Sequence, residues 1–189
     1  MMTGMAQRVW LTATQQRTWI NYMQVYHRLE YEMNRQLQAD FGISLADYVV
    51  MNALSNEPQR RLQSSRLATR IGWERSRLSH QLRRMETRRL VERVASESDG
   101  RATDAKLTQR GWRLLQSAAP AHVAWVRTLL FSDLDNTAAD QLADLLGGVY
   151  ETILRNGTLP RPEPAVARAL GRRDREHRAR GKRGNRRRA

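Results

Sequence analysis

The 189-residue sequence predicts a mainly α-helical protein carrying one small β-hairpin. Large apolar residues recur every three or four positions along most of the chain, the period of a helix face. One stretch, residues 91–107, instead alternates apolar and polar residues around a group of turn formers, the mark of a hairpin.

Each element follows in order. Between Thr14 and Phe41, residues Trp19, Tyr22, Tyr26, Leu29, Met33 and Leu37 step along one face of a long first helix, and Gly42 ends it. Ser44, with Asp47 three residues later, forms the cap of a second helix through Leu45, Tyr48, Val49, Met51 and Leu54, with Pro58 just past its end. A third, short helix runs from about Ser64 to Ile71 and stops at Gly72, which enters a left-handed turn without a side-chain clash. A fourth, from Glu74 to about Arg89, buries Leu78, Leu82 and Met85.

The hairpin places Val91 and Val94 on one strand, Thr103, Ala105 and Leu107 on the other, and Asp99, Gly100 and Arg101 at its tip. Thr108 starts a fifth helix through Trp112, Leu115, Val123, Val126 and Leu130, expected to bend near Pro120. Asp135 caps a sixth through Leu142, Leu145, Val149 and Ile153. Pro160, Pro162 and Pro164 then stiffen a linker to an Arg-rich tail with almost no large apolar residue, for which disorder is expected.

Charge is unevenly laid out. Residues 60–113 carry 15 basic and 6 acidic side chains and residues 161–189 carry 12 and 3, whereas residues 1–59 hold 4 and 5 and residues 114–160 hold 2 and 5. Two basic blocks on a faintly acidic frame favour a polyanion such as nucleic acid, because phosphates neutralised by Arg release condensed counterions; plain solubility and an anionic membrane surface are the weaker alternatives. The lysines are Lys106 and Lys182 alone, so the preference for Arg partly reflects codon usage and argues little by itself.

Several classes are disfavoured. With no cysteine there is no disulfide framework, zinc finger or thiol switch. No apolar run approaches the ~20 residues of a membrane span, and the start lacks the layout of a secretory signal, so a cytoplasmic protein without membrane contact is expected. Four scattered histidines (His27, His80, His122 and His177) and the lack of a glycine-rich phosphate loop offer an enzyme little. His27 and His122 are the conceivable metal ligands between helices, but a lone histidine on an amphipathic helix more often serves structure, so neither a metal nor a cofactor is expected.

Ala68 and Gly72 stand four apart beside Leu67 and Ile71, with Leu78 ten residues after Ala68. This is helix-turn-helix spacing: a small residue where two helices cross, a turn former between them, and apolar side chains fixing the second helix at its angle. Opposite the buried stripe of that second helix lie Ser76, Arg77, His80, Arg83 and Arg84, chemically suited to base edges and phosphates in a major groove. A solvated charged face is the plainer alternative. The hairpin would then form a wing, with Arg101 oriented by Asp99 and entering a minor groove; a surface ion pair between the two competes with that reading.

These residues together resemble the MarR family of bacterial winged helix-turn-helix transcriptional regulators. Leu67-Ala68 with Ile71-Gly72, Ser76 to Met85, Asp99-Gly100-Arg101, and Leu107-Thr108 with Gly111 match its pattern in order and spacing over roughly residues 14–156. Arg89 departs from it, standing where the family usually has glycine, and the tail after Pro160 is unusual.

The resemblance implies a winged helix-turn-helix at about 44–107 and dimerisation helices at 14–41 and 108–156, and leaves outside it a flexible start at 1–13 and the Pro-containing linker and Arg-rich tail at 157–189. It further implies a homodimer on a pseudo-palindromic site in double-stranded DNA, a repressor ahead of an activator, released when a small aromatic or phenolic effector binds near Trp19, Tyr22, Tyr26, Tyr48 and Trp112. The competing function is an architectural protein that binds nucleic acid without sequence preference through its basic tail.

Overall fold

The computed structural model describes residues 10–96 and 102–163. Six α-helices and a three-stranded antiparallel sheet follow in the order α1 (Ala13–Phe41), α2 (Leu45–Ser55), β1 (Arg61–Gln63), α3 (Ser64–Arg70), α4 (Arg75–Thr87), β2 (Val91–Ala95), β3 (Thr103–Leu107), α5 (Gln109–Phe131) and α6 (Asn136–Asn156). All six expected helices and the hairpin are present, and α5 continues through Pro120. The Arg-rich tail and the wing-tip residues Asp99, Gly100 and Arg101 lie outside the described residues.

Side-chain caps set four helix starts. Thr12 and Gln15 form a reciprocal capping box at α1, and Ser44 and Asp47 form another at α2. The Thr108 and Asp135 side chains accept the amides of Gly111 and Ala138 at 3.0 and 2.7 Å to start α5 and α6. Each cap satisfies a backbone donor that the helix cannot pair internally.

β1 is the element that the sequence pattern does not announce. It has one apolar residue, Leu62, and its strand conformation comes from pairing with β3, Leu62 opposite Ala105, in a sheet of order β1-β3-β2. Arg61 fastens it: its Nε donates to Asp104 Oδ2 at 2.7 Å and its Nη2 to the Ala95 carbonyl at 2.6 Å, joining all three strands. Such pairing over 34 and 43 positions leaves no local period to read.

The core lies beneath the helix pair and the sheet. Leu37, Ile43, Met51, Leu54, Leu67, Leu78, Leu82 and Met85 are fully enclosed there, joined by Leu90, Val91, Ala105, Leu107 and Leu115. At Gly111 a Cβ would stand 2.1 Å from the Leu90 carbonyl oxygen, so glycine lets α5 approach the start of the wing. α6 buries none of its residues, and Leu145, Leu146, Val149, Tyr150 and Ile153 form an exposed apolar row.

Candidate nucleic-acid interface

Gly72, at φ 69°, lies in the left-handed region between α3 and α4. The Trp73 amide donates to the Ala68 carbonyl at 2.9 Å and the Gly72 amide to that of Thr69 at 3.2 Å, the paired bonds that close a helix on a left-handed residue. This turn fixes the direction in which α4 leaves α3. Neither α3 nor α4 has a side-chain cap at its N-terminus, unlike the other four helices.

On α4, Leu78, Gln81, Leu82 and Met85 are buried, while Ser76, Arg77, His80, Arg83 and Arg84 are all exposed. The structure therefore gathers all five predicted reading residues on one side of one helix. Ion pairing divides the arginines around it. Arg61, Arg70, Arg88 and Arg93 pair with Asp104, Glu57, Asp47 and Glu86. Among the described residues, Arg75, Arg77, Arg83 and Arg84 pair with no carboxylate, which leaves a concentrated positive field along α4. Arg77 stands apart from the rest: its guanidinium lies 4.2 Å from the centre of the Trp73 ring, at the edge of α4 nearest α1 and α2.

Asp47 holds α4 in place, a role the sequence does not disclose. Its enclosed side chain accepts the Ser44 amide at 2.9 Å, the Gln81 amide group at 2.6 Å and Arg88 Nη1 at 2.7 Å. Arg88 Nη2 also donates to the Gly42 carbonyl at 2.7 Å. One carboxylate thus ties the α1–α2 corner to the middle and end of the helix that carries the arginines. Asp47 is legible as a cap because Ser44 is three residues away, but Gln81 and Arg88 stand 34 and 41 positions off.

The strands of the wing pair from Val91 opposite Leu107 to Ala95 opposite Thr103, and the Ser96 amide continues the ladder to the Ala102 carbonyl at 3.0 Å. Residues 97–101, on which the Asp99 and Arg101 expectations fall, lie outside the described residues.

Among the described residues the five aromatic candidates for effector contact fall in separate places. Trp19, Tyr22 and Tyr26 form a stacked, half-exposed row along α1. Tyr48 is buried, its ring 4.4 Å from that of His122, and Trp112 lies beneath Arg60. Of the five, Tyr26 alone lines a cleft of about 630 Å³ between α1, α2 and the helix pair, with Tyr31, Leu45, Ile71, Trp73 and Arg77. His122 Nδ1 lies 3.3 Å from Gln36 Oε1, and burial lowers the imidazole pKa and raises that of the Tyr48 phenol. His27 instead packs on Tyr26, and no cluster of three metal-ligating side chains occurs among the described residues.

A helix pair closed on Gly72, followed by the β2–β3 wing of a three-stranded sheet and framed by long helices, defines a winged helix-turn-helix regulator. The sequence profile of the MarR family matches residues 41–102. AbsC from Streptomyces coelicolor, a MarR family transcriptional regulator, is 36% identical, with 76% of this chain and 97% of that one covered at a TM-score of 0.72. Sco3205, a MarR family regulator from the same organism solved in complex with DNA, is 35% identical over 82% of this chain and 97% of that one, with a TM-score of 0.75. The Mycobacterium tuberculosis regulator MOSR, also solved with DNA, is 25% identical over 70% and 95%, with a TM-score of 0.57. No curated protein matches the chain. The chain belongs to the MarR family of transcriptional regulators.

Proposed function

We propose that this protein represses transcription by binding a pseudo-palindromic DNA site as a homodimer, each subunit placing α4 in a major groove. The observation that carries this is the row of arginines on α4 that pair with no carboxylate among the described residues, on a helix held at a fixed angle by Asp47. Ser76, His80 and Arg83 face away from the core and read base edges; Arg84 and Arg77 flank them, with Arg77 released from Trp73 when a guanine is within reach. The uncapped starts of α3 and α4 offer backbone amides to phosphates. In the wing, Asp99 orients Arg101 towards a minor groove.

The DNA-bound relative at 35% identity supports this reading. The exposed apolar row of α6, together with Trp19, Ile20 and Val25 on α1, supports pairing of two subunits, since a monomer rarely exposes so much contiguous apolar surface. A small aromatic effector would occupy the cleft beside Tyr26, where it meets both the dimerisation helix α1 and Arg77. Filling that cleft would shift α4 relative to α1 and lower DNA affinity.

Sequencing the genomic fragments that the purified protein retains at physiological salt tests the proposal. Enrichment of a two-fold symmetric motif is expected. Alanine at Arg83 should cost about 1–3 kcal/mol and relax preference at one position of each half-site, whereas an equal loss on all sequences would reduce Arg83 to a phosphate contact. Retention of scrambled and genomic fragments alike would favour the tail-driven architectural role.

A further inference from the structure

After α6 the chain turns back onto the helix pair. Arg161 pairs with Glu151 on α6, and two residues later Glu163 pairs with Arg66 on α3. Pro160 and Pro162 restrict the backbone between these contacts. Beneath it lies a cavity of about 210 Å³ lined by Ser65, Thr69, Arg70 and Arg75, on the arginine-bearing side of the helix pair. Residues 160–163 therefore bridge a dimerisation helix and the DNA-reading module.

We propose that Pro160–Glu163 is a strap seating the start of the C-terminal extension on α3, from which the basic residues beyond it bind duplex phosphates beside the helix pair. The inference rests on the DNA-binding reading above and adds a second point of attachment per subunit. Residues 164–189 hold 11 basic and 2 acidic side chains, with Val166 and Leu170 their largest apolar residues. That composition offers a partner charge and little surface to bury, which suits a phosphate backbone.

The point of attachment matters because exposed charges are screened beyond about 8 Å at physiological salt. Starting at α3, 26 residues reach at most about 90 Å at ~3.3–3.6 Å each, more than the ~34 Å of one duplex turn. Phosphates on the same duplex are thereby within range without the module moving. The Arg66–Glu163 pair has side chains 47% and 61% exposed, so it orients the strap without enclosing a charge.

Two measurements on the full chain test this. In the first, Arg186, Arg187 and Arg188 are changed to Gln and affinity for a mixed-sequence duplex of about 40 base pairs is followed against salt; the slope of log K on log salt should become shallower by about 2–3 per subunit. An unchanged slope would overturn the role of the extension. In the second, Ala165→Cys carries an iron chelate that cuts nearby DNA, a clean label because the chain has no cysteine. Cuts should fall on one short tract per half-site and spread when Glu163→Lys is added; a tract that does not respond to Glu163→Lys, or cuts scattered from the outset, would overturn the strap. Loss of sequence preference in the unaltered chain would refute the specific reading instead, and it is scored on retained genomic fragments without reference to either result.

Discussion

Arg89 sits at φ 58°, a left-handed conformation that favours glycine, immediately after the Arg88 cap of α4. Its amide donates to the Glu86 carbonyl at 2.8 Å and the next amide, Leu90, to that of Met85 at 2.9 Å. The same closure that Gly72 gives α3 is thus made here with a side chain in place, at a cost of about 1 kcal/mol. Arg89→Gly should stabilise the protein by about that amount and raise the midpoint of thermal unfolding by about 2–4 °C, provided the monomer–dimer balance is held constant. The sequence marks this position as a departure from glycine, and the backbone shows that the turn survives it. Gln59 and Arg60, both at φ 55°, give no such warning, because no comparable glycine pattern surrounds them.

Asp47 and His122 join helices rather than shape a single turn. Asp47→Ala removes the acceptor shared by Gln81, Arg88 and the α2 cap; Arg88 is partly exposed and returns to water, but the buried Gln81 amide is left unpaired. A loss of about 2–3 kcal/mol in denaturant unfolding is expected, with weaker DNA binding because α4 loses its orientation. His122, on α5 against Tyr48 of α2 and Gln36 of α1, has its pKa lowered from 6.5 by burial. The unfolded chain therefore binds the proton more readily, so this contribution to stability is intact above pH 6.5 and declines as pH falls from there through the lower folded value. Unfolding measured across that window should show a decline that His122→Asn flattens. Helix periods, caps and the Gly72 turn were legible because their determinants lie within one or two turns of sequence. β1, the Asp47 ties and the Arg61 brace depend on partners dozens of residues away, and the predicted aromatic set scattered because an aromatic stripe on α1 does not reveal which helix will face it.

One subunit is well enclosed beneath its sheet and helix pair yet leaves Leu145, Leu146, Val149, Tyr150 and Ile153 of α6 in water. The charge layout adds to this division, since the positive segment lies on the reading module while residues 114–160 are slightly acidic. Association through the apolar row would hold two reading helices on one duplex without drawing on their arginines. Val149→Glu with Leu145→Glu tests that arrangement cleanly, because α6 contributes nothing to the enclosed core of a subunit and the substitutions cost the isolated fold little. Sedimentation should show a monomer, and unfolding should lose its dependence on protein concentration. Affinity for a symmetric site should fall by about 10²–10⁴, the gain that linking two half-site contacts supplies, while a single half-site is bound as before. If the doubly substituted protein still sediments as a dimer, α6 is not the seam, and the exposed row on α1 must carry the association instead.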